Sequence, residues 1–281
     1  MKKALFWGVI ALFLSACQPK MVTSTFTPPS ETPEPAITET PTQTVKPTSL
    51  PTESEATSTS TQKVFQVCSP LENETLTSLP EIIANPLKIP AIGRDDGHHG
   101  VDFSYYRRGE RETIQGVEVY AILPGKTILT LEDHTPYGYT ILVETPLSEL
   151  PGNLQEILSQ RYQAVPEDVQ YQGECPPIKP PEITGVLSLY HLYAHFEEKP
   201  GFVPGEPIAC GQLLGTIGNS GRSSNPHLHL ETRLGPSSAT LGDMAFYETI
   251  YTQEQRANYC LWRMSGYFQL VDPFLVFDSG K

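Results

Sequence analysis

Residues 226–233 read Pro226-His227-Leu228-His229-Leu230-Glu231-Thr232-Arg233. Polar and apolar residues alternate, and successive side chains of a β-strand point to opposite faces. A strand over His227–Arg233 therefore sets His227 and His229 on one face and turns Leu228 and Leu230 into a core. Two imidazoles side by side on a pleated surface suit a metal ion. Alternatively, one ligates while its neighbour meets the reacting group.

Short alternating runs on either side of this stretch extend the β reading. They are Val117–Ile122, Thr127–Leu131, Tyr139–Glu144, Val186–Phe196 and Leu213–Ile217. Turn signals fall between them, among them Pro124-Gly125, Tyr137-Gly138 and Pro200-Gly201. Asn153–Gln163 departs from the pattern with helical spacing of Leu154, Ile157, Leu158 and Tyr162, and Leu241–Met264 contains a second apolar-periodic run. The expected fold class is mainly β, an antiparallel sheet with short helical insertions.

Two further histidine clusters precede the opening stretch. In His98-His99-Gly100-Val101-Asp102, His98 and Asp102 stand four apart, with Gly100 between them to let the backbone turn. Imidazole and carboxylate are both good zinc ligands. His98, Asp102 and His229 together make three protein ligands and leave a fourth position open, as in a catalytic rather than a structural zinc site. In Tyr193-Ala194-His195, strand alternation sets His195, Tyr193 and His191 on one face.

These motifs, in this order, resemble the lysostaphin and LytM type of zinc endopeptidase. Its pattern is H-x-G-x-D early, Y-x-H in the middle and G-x-S-x-G-P-H-L-H-F-E late. Here the counterparts are His98 to Asp102, then Tyr193-Ala194-His195, then Gly221 to Glu231. Pro207 to Gly218 matches the approach to the last block, and Val271-Asp272-Pro273 the closing motif. The resemblance covers Gly93 to Leu234 plus the closing motif. Asn225 stands where a glycine is common, and Leu230 where phenylalanine is. Pro146–Gly185 and Pro236–Gly266 are larger departures that bear on substrate choice.

The resemblance implies an antiparallel sheet forming a groove, of the duplicated hybrid motif type. It also implies Zn2+ as cofactor, peptidoglycan peptides as substrate, and His195 and His227 as catalytic groups that line the site without ligating. The chain has no H-E-x-x-H helix to supply a glutamate base. Tyr193 and His191 are candidate groove residues. His99 reads as exposed or as a support behind the ligands, and His134, after Glu132-Asp133, as solvated. Two other readings compete. One is a catalytically silent regulator or binding lipoprotein that keeps this fold. The other is an envelope scaffold with a structural zinc, which would need His227 as a fourth ligand.

The N-terminus gives an address. Lys2 and Lys3 precede the apolar run Ala4–Leu14, which is shorter than the ~20 residues a membrane span needs. It fits a secretory signal peptide. Leu14-Ser15-Ala16-Cys17 looks like a bacterial lipobox, which makes Cys17 the expected site of a lipid anchor and the protein an exported, membrane-held one. Residues 18–63 are rich in Thr, Pro and Ser and poor in large apolar side chains, as expected of a disordered tether. Fully extended, about 45 residues at about 3.1 Å each would reach roughly 140 Å. Residues 64–281 are then expected to form the zinc endopeptidase domain that the resemblance implies.

The net charge is −13 and no basic run follows the signal, which argues against a nucleic-acid partner. Five cysteines are present. With Cys17 set aside, Cys68, Cys175, Cys210 and Cys260 form an even set in an exported protein, expected as disulfides. The pairing favoured is Cys68 with Cys175 and Cys210 with Cys260.

Overall fold

A computed structural model describes residues 65–280 of the protein. The signal sequence, the lipobox and the tether lie outside the described residues. Ten strands follow in chain order. They are β1 (Ile83–Asn85), β2 (Val101–Phe103), β3 (Glu118–Tyr120), β4 (Gly125–Leu131), β5 (Thr140–Pro146), β6 (Leu187–Ala194), β7 (Pro207–Ile208), β8 (Leu213–Thr216), β9 (Leu228–Pro236) and β10 (Gln269–Val271). Three helices join them: α1 (Gly152–Ser159), α2 (Gln253–Arg263) and α3 (Pro273–Asp278). The large sheet has the order β1-β2-β9-β6-β5-β4-β7, with β10 also paired to β9, while β3 and β8 form a small second sheet. Every pairing is antiparallel. The expected mainly β antiparallel class is what the structure has.

One face of the large sheet carries Val101, Phe103, Ile141, Val143, Tyr193, Leu228 and Leu230, packed with Val119 and Leu214 of the small sheet and with Leu154 and Leu158 of α1. The helical spacing seen at Asn153–Gln163 thus serves this core. The other face carries Leu129, Leu131, Leu142, Tyr190 and Leu192, covered by Met244, Phe246, Leu261, Trp262 and Phe268. Residues 237–268 are therefore a cover. Helix α2 within it starts at Thr252, whose side chain accepts from Gln255 N–H in a capping box that Gln255 reciprocates. Cover on both faces leaves every residue of β9 buried, charged ones included.

The disulfides correct the expected pairing: Cys68 joins Cys210 and Cys175 joins Cys260. Residue 68 and the turn before β8 flank the same segment, since Cys68 N–H donates to Ile122 and Gly211 N–H to Ala121. Cys175 ties the 146–185 insertion to α2. Sequence spacing carries no record of either adjacency.

His191 and Tyr193 require a second correction. They line no groove; both are fully buried on the face opposite His229. Ile122 N–H donates to the Tyr193 hydroxyl (2.8 Å), which sits 2.8 Å from His191 Nδ1, while His191 Nε2 lies 3.0 Å from Thr145 Oγ1 and Thr145 donates to Pro124. The chain closes only with a neutral imidazole, and burial pushes the His191 pKa down to about 3. The unfolded chain takes up that proton below an ordinary value of about 6.5, so the native state loses stability as pH falls from there toward 3. At pH 5 the expected loss is about 2 kcal/mol, at ~1.4 kcal/mol per unit. Denaturant unfolding at pH 7 and pH 5 should show this slope in the wild type and a shallower one in His191→Gln. Equal slopes would contradict it.

Candidate metal centre

Strand β2 pairs with β9 so that Asp102 lies opposite His229, and β9 pairs with β6 so that His229 lies opposite Ala194. Asp102 and His229 therefore share the face opposite Leu228 and Leu230. His98 precedes β2 and is held by a reciprocal backbone bridge to Lys88. Gly100 is needed for close approach rather than for a turn. A Cβ there would lie 2.6 Å from the Leu230 carbonyl oxygen and 2.9 Å from the His229 ring, so any larger residue displaces the imidazole.

Three histidine nitrogens converge on one carboxylate oxygen. Asp102 Oδ1 lies 2.7 Å from His229 Nδ1, 3.0 Å from His98 Nε2 and 3.6 Å from His227 Nε2. Asn85 donates to Asp102 Oδ2 at 3.3 Å. Among the described residues, His98, Asp102 and His229 form the group whose ligand atoms all lie within 4.8 Å of one another. Burial alone would raise the Asp102 pKa, but the His229 and His98 imidazoles beside it hold it far below the usual carboxylate range.

His195 reaches this cluster by breaking the alternation that the sequence pattern assigns to it. Strand β6 ends at Ala194, and His195 takes the left-handed conformation at φ +66°. That conformation is uncommon for a residue other than glycine. Its backbone is held by His195 N–H to Tyr137 O and Gly218 N–H to His195 O. The phase slips by one residue, so Phe196 returns to the core of Tyr193, and His195 turns to the face of His229. Its ring centroid is 4.5 Å from that of His227 and 5.9 Å from that of His229. The expectation that His195 shares a face with His191 and Tyr193 is thereby overturned.

The outer nitrogens are committed elsewhere. His98 Nδ1 lies 3.0 Å from the Pro86 carbonyl, His195 Nδ1 2.8 Å from that of Ser220, and His227 Nδ1 2.8 Å from that of Asn225. A carbonyl only accepts, so each Nδ1 carries a proton, and it is Nε2 that holds the lone pair when the ring is neutral. Burial, reinforced by His227 and His229, pushes the His195 pKa down to about 3, and burial also lowers that of His227. In neutral form, His98 directs a lone pair at a carboxylate oxygen 3.0 Å away. Such a contact is repulsive unless a cation sits between the two groups. The nitrogen and oxygen donors, their number and their second hydrogen bonds fit a zinc ion.

Glu231, which the sequence reading left without a role, is fully buried beside the cluster. Arg233 is buried next to it, and donates from Nη2 to His99 Nδ1 at 2.8 Å. His99 is therefore a buried support, not an exposed residue. His134 stands apart, 3.3 Å from Asp243 and against the Tyr251 ring. The strand alternation does place Glu231 on the His229 face; what the pattern lacked was any sign that residues 237–268 would cover it.

No family model and no curated protein matches the chain. Several solved structures are similar to it. A zinc-containing peptidase from Vibrio cholerae shares 18% identity over 60% of this chain and 35% of that one, with a TM-score of 0.31. A putative M23 peptidase from Pseudomonas aeruginosa shares 17% over 78% and 56%, with a TM-score of 0.32. The catalytic domain of lysostaphin from Staphylococcus simulans shares 16% over 73% and 98%, with a TM-score of 0.35. The chain thus spans 35% and 56% of the first two proteins. The functional reading rests on the residues of the site.

Proposed function

We propose that the protein is a zinc-dependent endopeptidase of the bacterial envelope, anchored through Cys17 and acting on peptidoglycan peptides. The observation that carries the reading is the convergence of His98, Asp102 and His229, beside two further imidazoles that offer free nitrogens. His98 Nε2, an Asp102 oxygen and one nitrogen of His229 would hold the ion. Zinc there supplies the Lewis acidity that activates water at neutral pH and polarises a peptide carbonyl.

The remaining steps belong to the chain's own residues. His195 and His227 present Nε2 lone pairs on the same side, fixed by their Nδ1 bonds to Ser220 and Asn225. One takes the proton of the attacking water as general base. The imidazolium so formed stabilises the developing oxyanion, and the same proton then passes to the leaving amine, directly or through the neighbouring imidazole. Ser223 Oγ, 3.2 Å from His227 Nδ1, helps to fix that ring. The side chains of His98, Asp102 and His227 are 12–15% exposed, so a substrate reaches them from solvent. The lipobox and the long tether support the wall as the place of action, since they would let a membrane-held domain explore it.

The test is release of peptide fragments from purified peptidoglycan by the full-length chain. Release that a chelator stops and added zinc restores is the expected result. No release from any wall preparation, with zinc bound, would overturn the reading in favour of a binding protein.

A further inference from the structure

The proposed zinc site leaves open which nitrogen of His229 faces the metal, because both have a carboxylate beside them. Nδ1 lies 2.7 Å from Asp102 Oδ1, and Nε2 lies 3.1 Å from Glu231 Oε1. The surroundings of the two carboxylates differ. Tyr137 O–H donates to Glu231 Oε1 at 2.7 Å, while Arg233 Nε and Trp262 Nε1 donate to Oε2 at 2.8 and 3.1 Å. A carboxylate offers about four lone-pair directions. Tyr137, Arg233, Trp262 and His229 would fill all of them, and Arg263 Nη1 adds a positive charge 3.8 Å from Oε1.

From this geometry we infer that Glu231 is a positioning residue that accepts the Nε2–H of His229 and thereby commits Nδ1 to the metal. A protonated Glu231 would have to aim its O–H at a group that is itself a donor. With its lone pairs taken, Glu231 also has none free to act as a base on water, so it serves through His229 and not on the substrate. Two of the donors that hold it come from distant parts of the chain, Tyr137 from the β4–β5 hairpin and Trp262 from α2, while Arg233 stands two residues along β9 from Glu231. The cover formed by residues 237–268 is thereby part of the metal site. Its tryptophan reaches through to the carboxylate that orients a ligand. Removing such an outer carboxylate typically weakens a metal site by about 10–100-fold.

The inference rests on the zinc reading, and the experiment separates the two. In the full-length chain loaded with zinc, long-range 15N NMR of the imidazoles reports which His229 nitrogen binds metal and which carries hydrogen. Nδ1 bound with Nε2 protonated is expected. The reverse assignment overturns the role of Glu231 and leaves the zinc site standing, whereas a wild-type chain that takes up no zinc overturns both. Competition with a chelator then gives the zinc affinity of Glu231→Gln and Trp262→Phe. Glu231→Gln should bind about 10–100-fold more weakly, with Trp262→Phe between it and the wild type. A folded Glu231→Gln with wild-type affinity contradicts the inference. If that variant does not fold, the wild-type spectrum decides alone.

Discussion

Replacing His195 by alanine is expected to leave zinc in place and to lower peptide hydrolysis by about 10²–10⁴-fold, the usual contribution of a positioned general acid or base. The separation of the two effects follows from geometry. His195 lies outside the group of converging ligand atoms, yet its ring is 4.5 Å from that of His227. It is also held in a left-handed conformation by backbone bonds from the 137 and 218 segments, which survive loss of the side chain. Zinc content and kcat/KM measured on the same preparation check the prediction. Loss of zinc in His195→Ala would make His195 a ligand, and unchanged hydrolysis would remove it from the chemistry.

The largest expected effect on stability belongs to Arg233. Its guanidinium is buried, donates to Glu231, to the carbonyls of Trp262 and Phe268, and to His99, and lies over the Trp262 ring at 4.8 Å. Arg233→Met removes the charge and leaves Glu231, fully buried, without its nearest cation. Breaking a buried pair from one side typically costs about 3–5 kcal/mol, since the remaining charge stays desolvated. Denaturant unfolding of metal-free wild type and variant measures this directly. A difference under about 1 kcal/mol would mean that Arg263, 3.8 Å from Glu231, neutralises the carboxylate by itself.

Legibility in the sequence followed the range of the interactions. Strand alternation located β4, β5, β6, β8 and β9 because a period-two pattern of polar and apolar residues is a local signal. Beyond the pattern match, the i, i+2 and i, i+4 spacings of His227, His229, His98 and Asp102 pointed to the cluster that the structure brings together. Three things were not legible. His195 needed a backbone conformation that no pattern of side chains encodes, and alternation alone put it on the wrong face. His191 and Tyr193 read as groove residues, since a polar face on a strand looks the same in sequence whether it meets water or a closed hydrogen-bond chain. Cys68–Cys210 and Cys175–Cys260 join segments far apart in sequence whose adjacency arises only when the sheet and its cover assemble. Glu231 belongs with these. Its importance comes from α2, which covers it from more than twenty residues further along the chain.

The most direct test of the zinc site is the metal content of the full-length wild-type chain beside that of His229→Ala and Asp102→Asn. The arrangement of His98, Asp102 and His229 predicts about one zinc per wild-type chain, with uptake lost in His229→Ala and sharply weakened in Asp102→Asn. A wild-type chain that stays free of zinc at saturating metal, or variants that bind it as tightly as the wild type, would contradict the account.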